Sequence, residues 1–215
     1  MIGNLVIFGD SYSTHQDHIP SGYPAYYCDE GWSEDTPVTK MLAKETWWWR
    51  LLERTGAKLI QNNSWSGSTI GYTGYHGDCS GSSSFIFRYK KLLSEGFFEK
   101  NEIDTILVFG GTNDSWADAP LGEEKYSDVT HEDLFCVLPA ICYFMGELRQ
   151  NHPTARVVFI ANCDIKPEIV EGMQKAAERL GAECIVLHGI DKECGHPTVR
   201  GMKEICEQVL LGLGL

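Results

Sequence analysis

Residues 6–15 read "VIFGDSYSTH", an apolar run that breaks at Gly9, Asp10 and Ser11 and then turns polar. A continuous apolar run without alternation suits a strand buried on both faces, as in a parallel sheet. The same character recurs in LVIF (5–8), AKLIQ (57–61), TILVF (105–109), RVVFIA (156–161) and ECIVL (183–187). Helical patterns lie between these runs. Residues 39–55 set Trp47/Leu51 and Trp48/Leu52 four apart, and Gly56 stops them. Residues 131–150 open on a capping-box-like Thr130 and Asp133, with Pro139 expected to kink or restart the helix. Residues 168–180 and 197–211 complete the set. Strands alternating with helices, without an internal repeat, predict an α/β domain with a mainly parallel sheet spanning residues 1–215.

Ligands of such sheets bind beyond the carboxyl ends of the strands. Those ends carry chemistry here. The first strand runs into Gly9-Asp10-Ser11 and the second into "QNNSWSGST", with Asn62, Asn63 and Gly67. The third runs into "GGTNDSW", with Asn113 and Asp114, and the fifth is followed by "HGIDKECGHPTVRGM", with His196 ahead of Pro197. A serine hydroxyl is a poor nucleophile until a base takes its proton, and histidine titrates near neutrality. Glycine N–H and asparagine amide groups are the fixed donors a developing oxyanion needs. A Gly-Asp-Ser arises by chance in roughly one chain of this length in twenty, so the tripeptide alone decides nothing. Four blocks in order do.

Gly-Asp-Ser after the first strand, a downstream loop glycine, Gly-x-Asn-Asp after the third strand and His-Pro before the last helix resemble the SGNH, or GDSL, hydrolase family. The resemblance runs from residue 5 to about 211. It implies a three-layer α/β/α fold with a five-stranded sheet in the flavodoxin-like order 2-1-3-4-5. It also implies esterase or lipase-like hydrolysis with no metal or organic cofactor. By that resemblance Ser11 is the nucleophile and His196 the general base. The oxyanion hole is the Ser11 N–H with Gly67 and Asn113, and Asp10 and Asp114 support the loops. The family places an Asp three residues before the histidine, where this chain has Glu193, and Asp191 lies five before. Three readings stay open: Asp191, Glu193, or a Ser11–His196 dyad whose ring is oriented by a backbone carbonyl.

The remaining features narrow partners and compartment. A formal charge of −12, without clustered Lys and Arg, argues against nucleic acid. No run approaches a membrane span, and the N-terminus lacks a basic, cleavable leader pattern, so a cytoplasmic chain with no membrane partner is expected. Eight cysteines contain no Cys-x-x-Cys pair and read as reduced, structural thiols. His15, Asp17 and His18 crowd into one loop too short for a metal site and are expected to line the rim near Ser11. Residues 12–38 form a long connection with Tyr23, Tyr26, Tyr27 and Trp32, read as an ordered flap, and residues 71–85 form a second such segment. Aromatic rims suit carbohydrate faces at least as well as acyl chains. The expected substrate is therefore a small-molecule or carbohydrate ester with a short acyl group, such as acetyl. Two alternatives share the scaffold: a non-catalytic carbohydrate-binding domain, and a flavodoxin-like nucleotide or phosphate binder. The second lacks both the G-x-G-x-x-G after the first strand and a P-loop lysine.

Overall fold

A computed structural model describes residues 1–30 and 39–215. Five strands form the central sheet: β1 (Asn4–Gly9), β2 (Lys58–Ser64), β3 (Thr105–Gly110), β4 (Arg156–Ala161) and β5 (Glu183–Val186). All neighbours pair in parallel, and the spatial order is 2-1-3-4-5. The chain reverses its direction of travel across the sheet between β1 and β3, which is where α/β sheets open a crevice at their carboxyl ends.

Among the described residues seven helices accompany the strands: α1 (Trp47–Thr55), α2 (Phe85–Ser94), α3 (Phe97–Lys100), α4 (Thr112–Trp116), α5 (Val137–Asn151), α6 (Pro167–Leu180) and α7 (Val199–Gly212). Alternation along the strands divides the core in two. Val6, Phe8, Ile106, Val108, Val157 and Phe159 pack with α2, α5 and α6. Leu5, Ile7, Leu107, Phe109, Val158 and Ile160 face the other way, onto α1 and α7. Helices thus cover both faces, which is why these strands are apolar throughout.

Several boundaries differ from the sequence reading. The helix expected over 39–55 starts only at Trp47. Thr46 caps it, accepting from the Trp49 N–H, while Thr39–Lys40 pairs with Tyr27–Cys28 and Ala43–Glu45 forms one 3-10 turn. Thr130 and Asp133 do exchange capping hydrogen bonds, but they open the 3-10 turn Glu132–Phe135 and not α5. Pro139 is the third residue of α5, where its missing N–H breaks no helical bond, so it neither kinks nor restarts the helix. Helix α7 starts at Val199 after the Thr198 cap, and Pro197 belongs to the preceding hairpin. The Thr69–Ser84 connection contains the hairpin Thr73–Gly74/Gly77–Asp78 and gives way to α2 at Phe85. Trp32 lies outside the described residues. Among the described residues, no helix is long and apolar enough to cross a membrane.

Candidate active site

Ser11 follows β1 in the turn Asp10–Ser13, where the Ser13 N–H donates to Asp10 O at 3.0 Å. Its side chain is buried with only 3% exposure. His196 stands across the crevice on a small antiparallel hairpin, Lys192–Glu193 paired with His196–Pro197. The two turn residues both have positive φ, Cys194 at +47° and Gly195 at +79°, as a two-residue type I′ turn requires. Glycine meets that demand readily; cysteine meets it under strain.

The hairpin delivers His196 Nε2 to 3.0 Å from Ser11 Oγ. The other ring nitrogen, Nδ1, lies 3.2 Å from the Cys194 carbonyl. A carbonyl only accepts, so this contact places the proton on Nδ1 and leaves Nε2 to accept from the serine. Tyr26 stacks on the imidazole with centroids 3.6 Å apart and planes within 8°, while Trp116 meets it edge-on at 5.9 Å. Burial lowers the His196 pKa below the ordinary histidine value, and the Lys192 charge adds to this against the opposing Cys194 carbonyl. Both effects favour the neutral ring.

Neither candidate acid reaches the ring. The Asp191 carboxylate accepts from the Thr198 hydroxyl, and its N–H donates to Glu204 at 2.8 Å, so the residue braces the start of α7. Glu193 sits directly across the hairpin from His196, with an exposed side chain that makes no hydrogen bond to the imidazole. The tight turn is the reason. With only two residues at the bend, the Cys194 carbonyl lies under Nδ1 and the carboxylate three positions back is carried to the neighbouring strand. Among the described residues, Nδ1 meets the Cys194 carbonyl and neither of those carboxylates.

Asn113, at the start of α4, gives one Nδ2 proton to Ser68 O at 2.9 Å, and its Oδ1 accepts from Tyr75 O–H at 3.0 Å. Those two bonds fix which way the amide faces. Gly67, next to Ser68, has φ +81° and open space where a Cβ would stand. Among the described residues, neither the Gly67 N–H nor the Ser11 N–H has an acceptor.

The loops bearing these donors are tied from below. The Asp114 carboxylate accepts from the N–H groups of Ile70 and Gly71 at 3.0–3.2 Å, and burial raises its pKa to about 6. The Asp10 Oδ1 accepts from the Tyr12 N–H at 3.0 Å, and burial pushes that carboxyl up to about 7. Asn62 serves structure, donating to Ser13 O at 2.8 Å. Arg88 was not singled out from sequence, yet its guanidinium organises this region. It is fully buried and reaches Asn63 O, Asn63 Oδ1 (2.9 Å), Gly9 O (3.2 Å), Ser68 Oγ (3.0 Å) and Ser83 O (2.9 Å). Burial, first of all, lowers it to about 9. A signal existed in the sequence: Arg88 occupies the apolar face of α2, between Phe85 and Leu92.

His15 does not line the rim. It is buried, with its two ring nitrogens at 2.8 Å from Gln16 O and 2.9 Å from Met41 O, and His18 packs on Trp48 and Trp49. Among the described residues, no group of His, Cys, Asp and Glu side chains is placed to hold a metal ion.

A doubly covered parallel sheet with a serine and a histidine in contact at its carboxyl edge is an arrangement that hydrolases use. The chain belongs to the GDSL-like lipase/acylhydrolase family, whose model matches residues 3–213, and it is a carboxylic ester hydrolase. It is similar to a Bacteroides uniformis protein described as a GDSL-like lipase, at 41% identity and a TM-score of 0.87, over 99% of this chain and 95% of that one. A Bacteroides ovatus protein of the same description shares 36% identity and a TM-score of 0.88, over 100% and 99% of the two chains. A family two carbohydrate esterase from Cellvibrio japonicus shares the fold at 18% identity and a TM-score of 0.65, over 99% of this chain and 62% of that one. No curated protein matches.

Proposed function

We propose that the chain hydrolyses short-chain carboxylic esters, acetyl groups on carbohydrate among them, through an acyl-enzyme on Ser11. The carrying observation is the 3.0 Å contact between Ser11 Oγ and His196 Nε2. Ser11 attacks the ester carbonyl as His196 takes its proton. His196 then returns the proton to the leaving alcohol and later activates the water that releases the acid. The N–H groups of Ser11 and Gly67 and the Asn113 amide stabilise the oxyanion. Cys194 O stabilises the imidazolium in the place of a carboxylate.

The carbohydrate preference rests on the walls beside His196. Trp116 is 40% exposed next to the imidazole, and Tyr26 covers its other side. Tyr23 packs on Trp65 at 4.5 Å in the neighbouring loops. Flat aromatic surfaces accept the apolar faces of sugar rings.

The test is an ester panel of aryl esters of increasing acyl length and acetylated sugars. Ser11→Ala is expected to lose at least about 10³-fold in kcat on every substrate that turns over. Unchanged turnover overturns the mechanism. A chain that binds sugars but neither turns over esters nor labels with a fluorophosphonate is the non-catalytic alternative.

A further inference from the structure

Among the described residues no carboxylate meets the His196 ring, so its placement depends on how the hairpin is held. Among the described residues, three side chains besides His196 tie that hairpin to the body of the protein by hydrogen bonds. Tyr12 O–H donates to Gly195 O, and Tyr27 O–H donates to Pro197 O at 2.9 Å. The third is Lys192, whose side chain is only 12% exposed. Its ammonium lies 3.2 Å from Asn162 Oδ1, 3.2 Å from Cys163 O, 3.2 Å from Asp164 Oδ2 and 3.4 Å from Cys163 Sγ, and 5.6 Å from the Tyr12 ring centroid.

These partners are not a random stretch of surface. Asn162 follows β4 directly, is buried, and donates its Nδ2 to Thr112 Oγ1 at 3.1 Å. Thr112 precedes Asn113 in α4. Lys192 therefore links the hairpin bearing the base to the end of the sheet and, through one buried amide, to the helix bearing an oxyanion donor. A flexible lysine gives up much rotamer freedom when ordered like this, and three donor hydrogens meeting well-placed acceptors are what offset that loss.

We propose that Lys192 is a positioning residue for ester hydrolysis: its ammonium, gripped by Asn162, Cys163 and Asp164, keeps the Lys192–Pro197 hairpin where His196 Nε2 meets Ser11 Oγ. It supplies mechanically the alignment that a carboxylate on Nδ1 supplies in a Ser-His-Asp triad. This rests on the Ser11–His196 reading above.

The device has an electrostatic signature of opposite sign. A carboxylate beside the ring raises its pKa, whereas a lysine lowers it. Among the described residues, the titratable and charged groups around the imidazole are Lys192, Glu193 and Cys194 on its own hairpin, Tyr12 after β1, Tyr26 stacked on it, and Tyr27 and Lys40 lining the same pocket, with Asp164 and Cys163 around the ammonium. Removing the Lys192 charge therefore moves His196 upward. The base acts only when neutral, so the acid limb of kcat/KM follows it to higher pH.

The experiment compares wild type with Lys192→Met, Lys192→Arg and Asp164→Asn. It measures kcat and KM on a short-chain aryl ester across pH, and the NMR titration midpoint of the His196 imidazole. For Lys192→Met the expected result is a kcat loss of about 10- to 100-fold with KM within about twofold. Its midpoint and acid limb both move to higher pH, and Lys192→Arg restores the midpoint and part of the rate. Asp164→Asn, at an exposed partner, leaves the ammonium less neutralised and moves the midpoint to lower pH. General damage to the fold would not produce opposite displacements, and Asp164→Asn still decides the matter if Lys192→Met fails to fold. Unshifted midpoints in the folded variants, or wild-type kcat in Lys192→Met, overturn the proposal. If no ester is hydrolysed by wild type, the esterase reading fails, while the midpoints still report on Lys192. If Ser11→Ala is dead and Lys192→Met is fully active, Lys192 alone is ruled out.

Discussion

Ser11 leaves a strand in the middle of the sheet, whereas His196 rides on a six-residue hairpin outside it. The two halves of the site solve the same problem differently. Around Ser11 the backbone is over-determined: Arg88 gathers the carbonyls of Gly9, Asn63 and Ser83, and Asp114 pins Ile70 and Gly71. Its polar groups are buried and nearly all are satisfied, with Asp10 Oδ2 an exception. Around His196 the scaffold is a strained turn, one stacked tyrosine and three side-chain tethers. A donor set benefits from rigidity alone, because electrostatic stabilisation needs groups already aimed at the developing charge. A base that exchanges protons twice per turnover needs alignment together with a tuned pKa, and a peripheral hairpin permits both to be set by few residues.

The contrast can be broken from the nucleophile side first. Arg88→Met leaves several buried acceptors unpaired at about 1–3 kcal/mol each, so a stability loss of at least about 3 kcal/mol is expected in urea denaturation. A variant as stable as wild type would show that this side is not held by the guanidinium. Asn113→Ala removes the amide proposed as an oxyanion donor, and kcat on an aryl acetate should fall about 10²- to 10³-fold with little change in KM. Equal losses in kcat/KM and binding would instead mark a substrate contact.

Finer changes sharpen the comparison. Tyr75→Phe deletes the bond that orients the Asn113 amide, worth about 1 kcal/mol, so kcat should drop about fivefold while thermal stability holds. An unchanged kcat would mean that Ser68 O orients the amide by itself. Cys194→Gly should produce the smallest effect: relief of the positive φ adds up to about 1 kcal/mol of stability, and kcat is retained because the contact to Nδ1 is a backbone carbonyl. A large loss of kcat there would show that the strain itself aims the histidine.

The two halves were also unequally legible in the chain. β1 and the Gly-Asp-Ser that ends it could be read directly, because an apolar run buried on both faces leaves an unmistakable composition. The Gly-x-Asn-Asp block was legible for the same reason, standing at the end of a second such strand. Helix α2 escaped notice, since its polar-looking "FIFRYKK" hides an apolar face with a buried arginine on it. The start of α1 was misplaced by eight residues, because Thr46 caps it from outside the periodic pattern. Asp191 and Glu193 were both credible partners for His196, since spacing along a chain does not say which way a two-residue turn directs a carboxylate.

Local chemistry, written in residue order, was sufficient for an α/β domain with a mainly parallel sheet and for the serine, glycine, asparagine and histidine candidates, while the three layers and the strand order came from the resemblance. Strand burial and turn residues act over a few positions, so they survive in one dimension. Which group faces Nδ1, what holds Asn113 and why Lys192 is ordered were decided only by packing. What holds Asn113 and why Lys192 is ordered depend on atoms 28 to 45 positions apart in sequence meeting within about 3 Å, and the carbonyl under Nδ1, two positions away, depends on the turn the chain makes there. Such meetings are set by how helices and loops settle on the finished sheet.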